Sequence, residues 1–237
     1  YAQGGMEGGN ALADILTGKV NPCGKLTDTW AYHYDDYPCA DTFGYRNGDV
    51  SQEDYREDIY VGYKWYETAD KENYFQDTLS KNYNEIVQFP FGYGLSYCDF
   101  EWTVGEISVE PNSSITNNTE ITIPVTVKNN GKYPARDVVE AYVNVPYTKG
   151  GIEKPSTSLV GFTKTNVLQP NETETVELVI DADDFTSYDC YDKNNNGHKG
   201  YELEAGKYVI NLMTDSHNIK KVNYKNDLVD GKFDYKV

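Results

Sequence analysis

The second half of the chain shows the alternation of apolar and polar residues that is typical of half-buried β-strands. Every second position is apolar in three runs: Ile121, Ile123, Val125 and Val127; Val139, Ala141, Val143 and Val145; and Val176, Leu178 and Ile180. A fourth apolar run covers residues 206–212, and turn signals such as residues 129–131 separate the runs. The pattern predicts a small antiparallel β-sandwich. Because the cysteine and tryptophan spacing of antibody domains is absent, a fibronectin type III-like topology is favoured.

The first part of the chain has another pattern. Apolar residues recur at helical spacing within residues 7–17, and Gly18 follows where a left-handed cap is needed, which predicts a short helix. Periodicity fades over residues 30–90, apart from an aromatic run at 59–66 that is predicted as a strand. We therefore predict an α/β fragment with a long connector over residues 1–98, followed by an all-β sandwich over residues 99–237.

Composition narrows the possible partners. Hydrophobic residues make up 38% and aromatic residues 14% of the 237 positions, which is typical of a folded protein rather than a disordered one. The formal charge of -17 would repel phosphate backbones and anionic lipids, so neither nucleic acid nor a membrane is an expected partner. The first residues lack the pattern of a signal peptide, and we expect any export signal to lie outside this chain.

Two features favour a secreted, extracellular glycoprotein. Polar, turn-rich segments hold three glycosylation sequons, at Asn112, Asn117 and Asn171. The sequence also has four cysteines without CxxC spacing: Cys23, Cys39, Cys98 and Cys190. They are either buried free thiols or two disulfides, and the pairing of Cys23 with Cys39 and of Cys98 with Cys190 would respect the predicted domain division.

Three segments, in the same order, resemble motifs of glycoside hydrolase family 3. Residues 8–18 and 21–26 resemble the family's "GGNALADVLFG" and "NPSGKLP", and residues 55–66 resemble "Y.EGIYVGYRYYD". Residues 89–97 with Phe100 resemble the "FPFGHGLSYTTF" connector that leads into the family's fibronectin-like domain. Residues 185–189 and 200–208 further resemble members with a permuted domain order, in which the barrel domain follows the sandwich.

The resemblance implies a secreted β-glucosidase-type enzyme that releases terminal β-D-glucose from β-linked oligosaccharides, as in cellulose degradation. Retaining hydrolysis needs two carboxyl groups about 5–5.5 Å apart. In this family the nucleophile is an aspartate of the barrel, and the acid/base is usually a glutamate upstream of the helix predicted at 7–17. The resemblance thus places both catalytic residues outside this chain, in the missing barrel and α/β portions that would be its partners, and it implies no cofactor.

Within the chain, few residues are candidates for chemistry. Glu7 and the pair Glu57 and Asp58 are the carboxylates considered, with a helix-start carboxylate and a solvated strand entrance as their structural alternatives. Tyr55 together with Glu57 and Asp58 is the candidate wall of a substrate cleft. The aromatic side chains at 60–66 either stack on sugar rings or form core.

Metal binding is not predicted from the sequence. The segment 192–197 resembles the start of a calcium loop, but Leu203 occupies the twelfth position, where a bidentate glutamate is required. The three histidines have no metal-ligand spacing. Besides the interpretation of the chain as part of a glycoside hydrolase, two other interpretations remain open. The chain is either a noncatalytic secreted module for carbohydrate binding or adhesion, or a processed chain that stays associated with a catalytic partner.

Overall fold

A computed structural model describes residues 4–44 and 48–237 of the chain. Its first part is mainly helical and irregular. The helices are α1 (Gly8–Leu16), α2 (Tyr63–Lys71) and α3 (Tyr83–Ile86), with a π-helical turn at Phe75–Leu79. Two short strands, β1 (Trp30–Ala31) and β2 (Val87–Phe89), pair in an antiparallel manner. The helix predicted at 7–17 is confirmed as α1. We call residues 59–97 the connector. They form the end of this first part and lead into the strands of the second part.

The second part consists of strands. They are β3 (Phe100–Val104), β4 (Glu120–Asn129), β5 (Val138–Asn144), β6 (Ser158–Lys164), β7 (Thr173–Asp181), β8 (Ser187–Asp189), β9 (Gly200–Glu202), β10 (Lys207–Met213), β11 (Lys221–Tyr224), β12 (Asp227–Asp230) and β13 (Lys232–Lys236). One sheet has the order β13-β10-β5-β6 and the other β12-β11-β3-β4-β7, while β8 and β9 form a separate hairpin. The predicted fold class, an α/β fragment followed by a β-sandwich, is confirmed.

The core lies between the two sheets. Ile121, Ile123, Val125 and Val127 of β4 are fully buried, and the apolar positions of β7 and β10 pack against them. Burial of each such side chain contributes about 1.5–3 kcal/mol relative to exposure. Strand β5 differs from a half-buried strand because its second face, with Glu140 and Tyr142, is buried as well. The connector covers that face.

The prediction of a strand at 59–66 is wrong, because the second half of the run is the start of α2 and the first half is turn or irregular. Gly62 adopts a φ of +60°, a conformation that favours glycine, and the helix begins at the next residue. Tyr66 and Ala69, three residues apart, are thereby buried on one face against Tyr83 and Ile86. This packing overrides the strand preference of aromatic residues.

The two predicted disulfides do not form, and all four cysteines are free thiols. Cys98 is buried, and its sulfur lies 3.3 Å from Nδ2 of Asn21 and 3.2 Å from the carbonyl oxygen of Tyr133. Cys190, its predicted partner, is exposed just after β8. Burial, followed by a hydrogen bond to Glu57, raises the pKa of Cys39. The cysteines are free thiols in this structure, but the alternative of buried free thiols describes only Cys98, since Cys23 and Cys39 are half-buried and Cys190 is exposed.

The domain boundary between residues 98 and 99 stays a prediction. The first strand of the sandwich, β3, begins at Phe100, and the predicted segment 1–98 includes residues 1–3 and 45–47, which lie outside the described residues. None of the helices in the described ranges is long and apolar enough to cross a bilayer.

Gly131 is expected to be essential for the packing around Cys98. A Cβ added there would lie 2.5 Å from Cβ and 2.8 Å from Cα of Cys98, so Gly131→Ala should destabilise the fold by about 1–3 kcal/mol. At Gly9, in α1, an added Cβ meets nothing within 4 Å, and Gly9→Ala should stabilise by about 0.5–1 kcal/mol. Urea unfolding of both variants tests this contrast, and equal midpoints would contradict it.

Candidate functional site

Among the described residues, the predicted cleft residues line neither of the two cavities that are described below. Tyr55 is 90% exposed, and Asp58, also exposed, lies in a turn with a φ of +51°. Glu57 is half-buried beside the thiol of Cys39. Glu7 precedes α1 and accepts a hydrogen bond of 2.7 Å from Asn10 Nδ2, as expected for an exposed carboxylate at a helix start. The role of Tyr55, Glu57 and Asp58 as a cleft wall stays a prediction.

Most aromatic side chains at 60–66 of the connector pack against other side chains of the protein. Tyr63 stacks on Phe91 at 4.6 Å between ring centroids, and Tyr66 is 1% exposed within the cluster of α2 and α3. Of the two alternatives for the aromatic side chains at 60–66, these rings therefore match packing in the core rather than stacking on sugar rings. Tyr60 instead lines a groove beside α2, and its hydroxyl donates to Glu153 at 2.6 Å.

The loop at 192–197 uses its polar groups for its own turns. Asp192 Oδ1 accepts from the backbone N–H of Gly197 at 3.1 Å, and the amides of Asn194 and Asn196 both donate to Glu202. Within residues 4–44 and 48–237, no group of three or more His, Cys, Asp or Glu side chains is placed to hold a metal ion. The sequon residues Asn112, Asn117 and Asn171 are all exposed, and their glycosylation stays a prediction.

A buried carboxylate joins the connector to the sandwich. Glu67 of α2 is 8% exposed and accepts hydrogen bonds from the hydroxyls of Tyr83, at 2.6 Å, and Ser216, at 3.0 Å. Its other oxygen lies 2.9 Å from Nδ1 of His217, whose ring stacks on Tyr83 at 3.7 Å. We call these four residues the Glu67 cluster. No local sequence pattern indicates this cluster, because Glu67 and His217 are 150 positions apart.

A second buried carboxyl lies where the connector crosses β5. Glu140 is 4% exposed, accepts a hydrogen bond of 2.7 Å from Tyr142, and has Lys25 Nζ 3.9 Å away. Burial raises the pKa of Glu140 to about 7, although Tyr142 and Lys25 act in the opposite direction. Gly92 packs directly over this pair: an added Cβ would lie 3.0 Å from the Tyr142 hydroxyl oxygen. Such a pKa would suit a general acid, but the closed packing leaves no room for a substrate.

A shallow apolar pocket lies where the end of the connector meets residues 24–30. It measures about 300 Å³, and Trp30, Phe89, Tyr93 and Leu95 contribute to its lining. Trp30 is 48% exposed and Leu95 66%, which is unusual for such large side chains in one patch. In the described part of the chain, the adjoining sheet consists of β1 and β2. This patch is therefore a surface suited to packing against further protein.

The Glu67 cluster should control the titration of His217. Burial lowers the pKa of His217, but the hydrogen bond to Glu67 and the negative charges of Glu67, Asp70 and Asp215 outweigh it, so that the pKa lies above 6.5. The contact therefore stabilises the fold below pH 6.5, and this contribution is lost as the pH rises through the folded pKa. We expect NMR titration to show a downward shift of the His217 pKa in Glu67→Gln. The exposed control Asp77→Asn should leave it unchanged, and an unchanged value in both variants would contradict this role of Glu67.

Glu140 should make stability depend on pH in the opposite sense to a paired carboxylate. Its folded pKa of about 7 exceeds the ordinary 4.5, so the unfolded chain loses this proton first as the pH rises. The free energy of unfolding should fall by about 1–3 kcal/mol across this window. Glu140→Gln should abolish that fall in urea unfolding measured from pH 4 to 8. The control variant Glu177→Gln, at an exposed position, should keep the fall in the free energy of unfolding. The same dependence on pH in both variants would contradict the prediction.

Two known domains match the chain in order. The glycosyl hydrolase family 3 C-terminal domain matches residues 1–63, and a fibronectin type III-like domain matches residues 137–216. "Beta-glucosidase A" of Butyrivibrio fibrisolvens is 38% identical over 234 residues, which is 95% of this chain and 26% of that protein. A "Beta-glucosidase" of Ruminococcus albus is 38% identical over 92% of this chain and 20% of its own length. The chain thus spans about a quarter of the relatives it matches.

Solved structures agree with the sequence matches. A β-glucosidase from Paenibacillus barengoltzii shares 34% identity with a TM-score of 0.74, covering 96% of this chain and 22% of that one. β-Glucosidase 3B from Thermotoga neapolitana, solved in complex with α-D-glucose, shares 31% identity with a TM-score of 0.70, covering 96% of this chain and 26% of that one. The chain therefore belongs to glycoside hydrolase family 3, of which it carries part of the C-terminal domain followed by a fibronectin type III-like domain.

Proposed function

We propose that the protein to which this chain contributes is a retaining β-glucosidase that removes terminal β-D-glucose from oligosaccharides. The observation that carries the proposal is the match to β-glucosidases along more than nine-tenths of this chain, at 38% identity in the two bacterial relatives named above. Because the chain spans only 26% and 20% of those proteins, most of such an enzyme would lie outside it.

The catalytic carboxylates are proposed to lie in that remaining part. Several properties of this chain's own carboxyl groups support this. Glu140 has the pKa of a general acid but is buried under Gly92, and Glu67 is engaged by three hydrogen-bonding partners. Glu7 lies exposed at a helix start. None of these arrangements resembles two carboxyl groups facing each other across an open cleft.

The chain itself is proposed to act as a scaffold. The apolar patch around Trp30 and Leu95, beside the two-stranded sheet, offers a surface on which the rest of the α/β domain would pack. The Glu67 cluster fixes the connector to the sandwich, so the sandwich would hold that surface in a defined orientation. We further infer secretion and glycosylation, supported by the exposure of all three sequon asparagines.

Hydrolysis of a chromogenic aryl β-glucoside tests the proposal. The 237-residue chain alone should be inactive, and the longest natural protein containing it should be active. Activity in the chain alone would contradict the placement of the carboxylates. Inactivity of both proteins, together with the lack of a neighbouring barrel-coding region, would favour the noncatalytic module instead. A barrel encoded downstream would support the permuted order.

Variants of the longer protein test the candidate residues directly. Glu7→Gln, Glu57→Gln and Asp58→Asn should each keep kcat within about tenfold of the parent, because none acts on the reacting atoms. Loss of a general acid or base costs about 10²–10⁴-fold in rate. A loss of that size in any one variant, with folding intact by circular dichroism, would identify that residue as catalytic.

A further inference from the structure

A second cavity, which Glu67, Ser216 and His217 of the Glu67 cluster help to line, lies beside α2 on the outer face of the four-stranded sheet. It measures about 670 Å³ and is bounded by the last turns of α2, the connection between β5 and β6, and strands β10 and β13. Small-molecule sites generally measure about 300–1,000 Å³. We call it the α2 groove.

The sheet pattern explains how the α2 groove acquires polar groups. On β10, Ile210 and Leu212 belong to the core between the sheets, whereas Val209 and Asn211 point the other way and line the groove. The strand register places Asn211 beside Lys232 of β13 and Val209 beside Asn144 of β5. The groove floor is thus built on the backbone of three adjacent strands, which holds its side chains in fixed positions.

Two oxygens at the α2 groove are buried without a hydrogen-bond partner among the described residues: Oδ1 of Asn211 and Oγ1 of Thr157. The residues are 1% and 5% exposed. The amide nitrogen of Asn211 donates to Asn144 Oδ1 at 2.7 Å, so the orientation of its amide is already fixed. Leaving a buried acceptor unsatisfied costs free energy. A ligand that brings O–H donors would recover that free energy.

The wall opposite the sheet is also built in advance. Lys154 is 4% exposed, and its ammonium donates to the carbonyl of Pro146 at 2.8 Å and pairs with Glu204. The backbone N–H of Ser156 donates to the Thr68 hydroxyl of α2 at 2.9 Å. These contacts tie the connection between β5 and β6 to the sandwich and to α2, so the groove exists without a ligand.

The charges of the α2 groove indicate the ligand's chemistry. Five lysines and four acidic side chains contribute to its lining, and some neutralise one another, as Lys207 and Asp234 do at 2.7 Å. The groove therefore lacks the field of one sign that a phosphate-rich or strongly basic ligand requires, although the whole chain carries -17. A neutral polar ligand fits best.

Aromatic groups at the α2 groove point to a ligand with apolar faces as well. Tyr60 and Tyr147 both contribute to its lining, and Tyr147 is 42% exposed. Tyrosine offers an apolar ring face together with a polar tip. A ligand with many hydroxyl donors, apolar ring faces and no net charge is a saccharide. We propose that the α2 groove is a noncatalytic binding site for a short neutral oligosaccharide, whose hydroxyls donate to Asn211 and Thr157.

This proposal goes beyond the proposed hydrolase activity and does not depend on it, since the chain alone is expected not to hydrolyse glycosides. Binding is tested with the 237-residue chain, using cellotriose and maltotriose as probes in ¹⁵N NMR titrations. We expect at least one trisaccharide to shift the amide signals of Asn211, Thr157 and Asn144. No shift with either probe at 20 mM (about the weakest affinity that the assay resolves) would overturn the proposal and leave ordered water as the occupant.

Variants assign any binding to the α2 groove. Thr157→Val removes the hydroxyl with little change in shape, and Tyr147→Ala removes an exposed ring; each should weaken binding by about three- to tenfold. Asn211→Ala should weaken it at least about tenfold, provided that its spectrum remains that of a folded protein. Asn118→Ala, in an exposed turn of the sandwich, is the matched control and should bind like the parent. Shifts centred on Trp30, or equal affinity in Thr157→Val, Tyr147→Ala and the control, would overturn the assignment.

Discussion

The arrangement of this chain depends on the satisfaction of one buried carboxylate. Glu67 lies on a helix of the connector, yet two of its partners, Ser216 and His217, come from the turn that follows β10 of the sandwich. A buried charge without partners would cost several kcal/mol, so α2 can pack closely only where these groups are offered. The cluster thereby fixes both the position and the orientation of the connector on the sheet.

Once the connector is fixed, the outer face of the four-stranded sheet is divided into two regions. Tyr63, Phe91 and Gly92 cover the part over β5, where Glu140 and Tyr142 become buried. The part over β10 and β13 remains open as the α2 groove. The same docking thus produces a closed polar contact, in which a carboxyl pKa rises through burial, and an open groove, beside which two buried oxygens of the described residues lack a hydrogen-bond partner.

This division suits a scaffold role within a larger enzyme. The connector contributes Leu95 to the apolar patch, to which Trp30 of β1 also belongs, and it packs on the sandwich through Tyr63 and Gly92. The patch and the sandwich are thus joined by close packing rather than by a flexible linker. The carboxyl groups that look most like catalysts by pKa or burial are the ones that hold these parts together. The raised pKa values of Glu140 and His217 therefore accompany contacts between the two parts of the chain.

The sequence by itself determined the helix at 7–17, the sandwich strands and the family, because these depend on local periodicity and on motifs of contiguous residues. It failed at residues 59–66, where Gly62 and burial against Tyr83 and Ile86 favour a helix over the strand preference of aromatic residues. The suggested disulfides failed because thiol pairing depends on distances that spacing cannot give. Only the tertiary structure decided the Glu67 cluster and the α2 groove, since Glu67 and His217 are 150 positions apart and Tyr60 and Asp234 of the groove are 174 apart. These residues meet only after the connector docks on the finished sheet.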